Sequence, residues 1–168
     1  MNRVLIVYGT KSGCTAGVAE HIGSTLAEHG ITADIRPAVD EPDPRGYAAI
    51  IVGSGVRAGQ WHGSVKKWLT ANTESLREIP HALFTTCLTM AAEPEKAAEV
   101  RAYTDPLVEQ TGIEPVDVGL LAGWNEPKKF SLPERLILKA MKAPEGDFRD
   151  WEAVAAWTRS VSGKLGLS

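Results

Sequence analysis

The stretch GTKSGCTAG, residues 9–17, gathers three glycines, three hydroxyl side chains and a lysine directly after the apolar run Val4–Tyr8. Thr10, Ser12 and Thr15 carry hydroxyl donors, and Gly9 and Gly13 let the backbone turn tightly. The N–H groups of residues 11–15, those of Lys11, Gly13 and Cys14 among them, stand at the positive end of the helix that follows. Such a set can cradle a phosphate. The triphosphate pattern GxxxxGK followed by Ser or Thr is absent, as is GxGxxG, and the second strand ends in Arg36-Pro37 rather than an acid, so a monophosphate fits better than a di- or triphosphate. The plainer alternative is a Gly/Ser loop that only starts a helix.

A second set lies in GSGVRAGQWHGS, residues 53–64. Ser54, Gly55, Val56, Arg57, Ala58 and Gly59 offer backbone that can approach a flat ligand closely. Trp61 either stacks on that ligand or anchors the helix it precedes. Arg57 and His62 are the ionisable groups here and the candidates for a catalytic part. Arg57 suits a substrate carboxylate or draws electron density, and His62 suits a proton relay near neutral pH; the plainer readings are a solvated arginine and a histidine at a helix start. A third set follows the fourth strand in TTCLTMAAEPEK, residues 85–96. Of the two cysteines, Cys87 reads as a small buried residue, and Cys14 has no partner base in sequence to make it reactive.

These sets fall at the ends of strands. Near-continuous apolar runs at 3–8, 32–36, 48–53, 81–86 and 116–121 read as strands covered on both faces, and helical periods run through 14–29, 63–77, 94–111 and 150–164. The alternation gives a doubly wound parallel sheet of five strands in one α/β domain over residues 1–168, with ligands expected at the carboxyl ends of the strands.

Residues 122–149 form an insertion far longer than the ~2–6 residues such a connection needs. Trp124 and Phe130 lie in it, and Ser131, Pro133 and Glu134 spell a helix start with a capping box. Leu132, Leu136, Ile137, Ala140 and Met141 then form an apolar stripe among Lys128, Lys129, Arg135, Lys139 and Lys142. This helix either packs on its own domain with its lysines solvated, or lies over a hydrophobic substrate or an anionic membrane surface through 128–143.

Composition excludes other classes. With 18 basic and 21 acidic residues and a net charge of −3, the chain has no electrostatic footprint for nucleic acid. The two cysteines lie in neither a CxxC nor a metal-ligand spacing, so no metal is expected, and a reducing compartment fits. The start of the chain lacks the apolar stretch of about 7–15 residues that a signal peptide needs, so the expectation is a cytoplasmic protein, with peripheral contact at the inner membrane face left open.

The segment Thr10-Lys11-Ser12-Gly13-Cys14-Thr15 resembles the flavodoxin pattern Ser/Thr-x-Ser/Thr-Gly-x-Thr, which grips the phosphate of FMN. The resemblance implies a flavodoxin-like sheet in strand order 2-1-3-4-5 with FMN as cofactor. IIVGSGVRAGQWHGSVKKWL, IPHALFTTCL, PEKAAEVRAYTDPLVEQTGIEPVDVGLLAG and DWEAVAAWTR are similar to the menaquinone-dependent protoporphyrinogen oxidase family, from Val4 to about Trp157. That likeness implies that residues 54–61 and Thr86, Cys87, Leu88, Thr89 and Met90 flank the flavin, with Leu88 and Met90 as an apolar wall. It further implies an oxidoreductase in which a porphyrinogen gives hydrogens to FMN and a quinone takes the electrons. The insertion here is shorter than in such relatives. Alternatives are a single-domain electron carrier that docks a redox partner protein, or an FMN-dependent quinone or NAD(P)H reductase; a homodimer is a further partner expectation.

Overall fold

Successive residues of a strand point to opposite faces, and the first strand uses both: Val4 and Ile6 enter one apolar cluster while Leu5 and Val7 enter another. All four are fully buried. A strand buried on both faces lies inside a helix–sheet–helix sandwich, which is the arrangement in the computed structural model, which describes residues 2–167. Met1 and Ser168, included in the span of the single-domain reading, lie outside the described residues.

Five parallel strands form the sheet: β1 (Arg3–Gly9), β2 (Thr32–Pro37), β3 (Ala49–Arg57), β5 (His81–Cys87) and β6 (Val118–Ala122). A two-residue strand, β4 (Gln60–Trp61), folds back on β3. The order is β2-β1-β3-β5-β6, which is 2-1-3-4-5 when the parallel strands alone are counted. The chain therefore reverses its winding between β1 and β3, where Gly9 pairs with Ser54 and, one strand further, Gly55 pairs with Thr86. This register brings the ends of three strands side by side.

Helices α1 (Cys14–Glu28) and α8 (Trp151–Lys164) cover one face of the sheet, through Val18, Ile22, Leu26, Val154 and Val161. On the other face α2 (Gly63–Ala71), α3 (Thr73–Glu78) and α6 (Asp105–Thr111) place Val65, Trp68, Leu69, Leu76 and Leu107. Between β5 and α6 run α4 (Leu88–Ala92) and α5 (Ala97–Ala102).

Two helices expected as single pieces are divided. The segment 63–77 breaks at Asn72, whose side-chain amide donates to the Trp68 carbonyl at 2.9 Å and so competes with the helical ladder. The segment 94–111 becomes a 3-10 turn at Pro94–Lys96 followed by α5 and α6. Pro106 in the first turn of α6 has no N–H and its ring would meet the carbonyl of Ala102, which is where α5 stops. The third strand runs past the expected 53 to Arg57, and the last covers Val118–Ala122 rather than 116–121.

The insertion is ordered around a small hairpin, β7 (Trp124–Asn125) with β8 (Gly146–Asp147), that returns the chain to its starting point and leaves α7 (Leu132–Ala140) between. The stripe on α7 does not pack on the domain: no residue of α7 is buried, and Leu132, Leu136, Ile137 and Met141 are 59–72% exposed. Glu134 and Leu138, one turn apart, are half-buried on the inward side.

Candidate functional site

The loop after β1 turns on Gly13, whose φ of 91° only a glycine adopts without strain. That turn lets the Gly13 N–H bond the Thr10 hydroxyl oxygen at 2.9 Å. The hydroxyl oxygen of Ser12 accepts from the Trp124 indole N–H at 2.9 Å. Each of these hydroxyls thus has its oxygen oriented while its own O–H can be given to a ligand. Helices α2 and α8 have side-chain caps, from His62 and Asp150, and α7 closes on the Ser131–Glu134 pair. Helix α1 has no side-chain cap and no acid in its first turn. Such an open donor end, shared among the described helices with the five-residue α4, is what a phosphate needs.

Thr15 differs from the expectation for its hydroxyl. It is fully buried and its Oγ1 lies 2.8 Å from Oγ1 of Thr86, so the side chain ties the first loop to the end of β5. Gly55 approaches the same pair so closely that a Cβ there would sit 3.2 Å from the Thr15 hydroxyl. Three strand ends therefore meet at Thr15, Gly55 and Thr86.

Beyond Gly55, Val56 pairs with Trp61 and Arg57 with Gln60, making a two-residue hairpin whose corner residues Ala58 and Gly59 both have positive φ, 49° and 71°. Ser54 braces it: fully buried, it donates to the Gly55 carbonyl and accepts the His62 N–H, both at 2.8 Å. Trp61 is the anchor of the two alternatives. It is 3% exposed in the core, with its indole N–H directed at the buried Thr104 hydroxyl at 3.2 Å, so it presents no face to a ligand. His62 caps α2, its Nδ1 accepting the Ser64 N–H at 3.2 Å. Burial holds its pKa below the ordinary 6.5, helped by the positive charges of Arg57 and Lys11, so the ring is neutral at pH 7.

At the end of β5, Cys87 is buried, and Leu88, Thr89 and Met90 are half-exposed in the first turn of α4 rather than in an irregular loop. Burial pushes the Cys14 thiol above its usual pKa, against the smaller lowering effects of the Trp124 backbone, Arg149 and Thr86, so it is not an activated thiolate.

The insertion supplies residues that the spacing alone does not reveal. Arg149 stacks on Trp124 at 4.2 Å and on Trp151 at 4.6 Å, and binds Asp147 through two nitrogens at 2.9 and 2.7 Å. This holds Trp124 against Ser12. On the other side, Glu134 accepts from Lys11 at 2.7 Å and forms an ion pair with Arg57, through the same oxygen, Oε1. Arg57 also lies 4.8 Å over the ring of Phe130. The insertion therefore touches the first loop at Ser12 and Lys11 and the hairpin at Arg57. Trp124, Phe130 and the capping box are visible in the sequence; their partners, 112 residues away for Trp124 and 77 for Glu134, are not.

An open helix end, a glycine-turned hydroxyl loop and the carboxyl edge of a 2-1-3-4-5 sheet coincide at one place. A family model described as flavodoxin domain matches residues 5–152. The chain belongs to the flavodoxin family. With that membership comes its cofactor, FMN, and the acid-free, uncapped start of α1 fits the phosphate of that group. Among solved flavodoxins, one from the domain Archaea has a TM-score of 0.60 at 16% identity, covering 98% of this chain and 99% of its own. The oxidised flavodoxin 2 of Bacillus cereus has a TM-score of 0.60 at 19% identity, covering 96% and 99%. Among curated proteins, the chain is 25% identical over 172 positions to protoporphyrinogen IX dehydrogenase (quinone) of Escherichia coli strain K12, covering 95% of this chain and 94% of that one. A Leishmania major protein of the same name is 24% identical, covering 90% of this chain and 71% of its own.

Proposed function

We propose that this flavodoxin-family chain is an FMN-dependent oxidoreductase that takes hydrogens from a porphyrinogen or similar hydrophobic substrate and passes the electrons to a quinone. The observation that carries the reading is the insertion, which lays Trp124, Phe130 and Glu134 against the two loops at the carboxyl edge of the sheet. A carrier that only exchanges electrons with a docked protein has no use for a cover of that kind. The near full-length similarity to the Escherichia coli dehydrogenase supports the same class.

Bound FMN supplies two-electron acceptance and donation; the protein supplies position and charge. Thr10, Ser12 and the first N–H groups of α1 hold the phosphate, while Gly55–Gly59 and Thr86–Met90 flank the ring. Leu88 and Met90 form an apolar wall for ring and substrate. Thr15, Ser54 and Trp61 act behind these contacts, fixing the loops that make them.

The outer face of α7 supports a place on an anionic bilayer, where a quinone would be met. Leu132, Leu136, Ile137 and Met141 project outward among Lys128, Lys129, Arg135, Lys139 and Lys142. Among the described residues no helix is long and apolar enough to cross a membrane. The test is a steady-state assay of the FMN-loaded protein with protoporphyrinogen, with and without menadione, against NADPH in place of the porphyrinogen. Porphyrin formation that depends on the quinone is the expected result. Reduction of menadione by NADPH but not by the porphyrinogen moves the assignment to a reductase, and no turnover with either donor moves it to an electron carrier.

A further inference from the structure

Lys11 and Arg57 come from different strand ends, yet both direct their charge at a single oxygen, Oε1 of Glu134. The second oxygen of that carboxylate is already engaged, accepting the N–H and the hydroxyl of Ser131 at 3.0 and 2.9 Å. Among the described residues neither cation has another acidic partner within ion-pair distance. The two cations belong to the sheet edge, whereas the anion between them is brought by the insertion. Phe130 lies under the Arg57 guanidinium and limits its orientation, and a planar fork of donors suits a carboxylate.

The contact is built to exchange. The side chains of Lys11, Arg57 and Glu134 are 61%, 36% and 21% exposed, and an ion pair open to water contributes little. Helix α7 has no buried residue, so moving Glu134 away exposes little apolar surface. We propose that Lys11 and Arg57 form a subsite for a carboxylate of the substrate, and that Glu134 is its resident competitor, displaced when a carboxylate-bearing substrate enters. The proposal rests on the porphyrinogen reading above and adds which substituent of such a substrate is recognised and where. An anionic oxygen group at this place has a second source, the phosphate of FMN, because Lys11 lies in the phosphate loop. Arg57 stands on the hairpin outside that loop, which favours the substrate.

The test is a binding titration on FMN-loaded protein, read by porphyrin fluorescence, with protoporphyrin IX, which has two carboxylates, and its dimethyl ester, which has none. The diacid is expected to bind the wild type about tenfold more tightly than the ester, the scale of one charge-assisted hydrogen-bonded pair. Arg57→Gln and Lys11→Met remove that preference. Glu134→Gln keeps a side chain that can complete the capping box, tightens the diacid severalfold and leaves the ester unchanged. Equal binding of diacid and ester, or diacid binding weakened by Glu134→Gln, overturns the subsite while leaving the porphyrinogen reading in place. A change in FMN affinity across the three variants with an unchanged diacid preference assigns the anion to the cofactor phosphate and overturns it too. Failure of both porphyrins to bind overturns the substrate reading together with the subsite.

Discussion

The Thr15–Thr86 hydroxyl pair is a buried polar contact that ties the first loop to the end of β5. Replacing one partner leaves the other hydroxyl buried and unpaired, so Thr86→Val is expected to cost about 1–3 kcal/mol, whereas Thr15→Val with Thr86→Val loses less than the single change. Denaturant unfolding of the single and double variants checks the sign of that difference. His62 gives a pH dependence of defined direction. Its folded pKa lies below the ordinary 6.5, so its contribution to stability is full above 6.5 and falls as the pH drops through that value towards the folded pKa. Protonation at Nδ1 also removes the acceptor that caps α2. His62→Asn should keep the cap and abolish this part of the pH profile, and His62→Ala should cost about 1 kcal/mol at pH 7.5, both read from thermal unfolding. Glu134 is shifted in the same direction, and its contribution is likewise full above the ordinary 4.5 and falls as the pH drops below it. Lys11 and then Ser131 hold its pKa at about 2, so the bridge to Lys11 and Arg57 persists from neutral pH down past the usual 4.5 and is lost only as the pH nears 2.

At the scale of elements, the hairpin between β3 and β4 stores strain at one residue. Ala58 has a φ of 49°, a region in which a β-carbon is unfavourable by about 1–2 kcal/mol, and the turn type prefers Asn-Gly where this chain has Ala-Gly. Ala58→Asn is expected to raise stability by up to about 1 kcal/mol, seen as a higher melting temperature of the FMN-free protein. The inner strands were legible because both their faces are buried, so Val4–Val7, Ile50–Val52 and Ala82–Phe84 are apolar without a gap, whereas β2, expected to be covered on both faces, is an edge strand with no buried residue. The helix breaks at Asn72 and before Pro106 were written in local chemistry, a side-chain amide that competes for a carbonyl and a ring that blocks one, but the apolar period runs on through both. The glycine and hydroxyl spacing located the first loop for the same local reason. Trp61 could not be assigned from sequence, because Thr104, which takes its indole N–H, is 43 residues away. The same limit hid the pairing of Trp124 with Ser12 and of Glu134 with two cations.

At the scale of the molecule, the insertion gives this flavodoxin an asymmetric edge. Its inner side is polar and specific, through Trp124, Glu134 and Arg149, while its outer side is the exposed stripe of α7. Vesicles containing phosphatidylglycerol should co-sediment the protein and pure phosphatidylcholine vesicles should not, and Leu136→Glu with Ile137→Glu should abolish the association while FMN stays bound. The proposed activity is oxidation of a porphyrinogen by a flavin housed at the covered edge. It is tested most directly by mixing FMN-loaded protein with protoporphyrinogen in the absence of oxygen and following the flavin band and the porphyrin Soret band together. With the FMN-loaded protein in more than threefold excess, loss of the flavin band with appearance of the Soret band, about three flavins reduced for each porphyrin formed, is the expected outcome, because the porphyrinogen gives up six electrons and each FMN takes two. An unchanged flavin band with no porphyrin formed would contradict it.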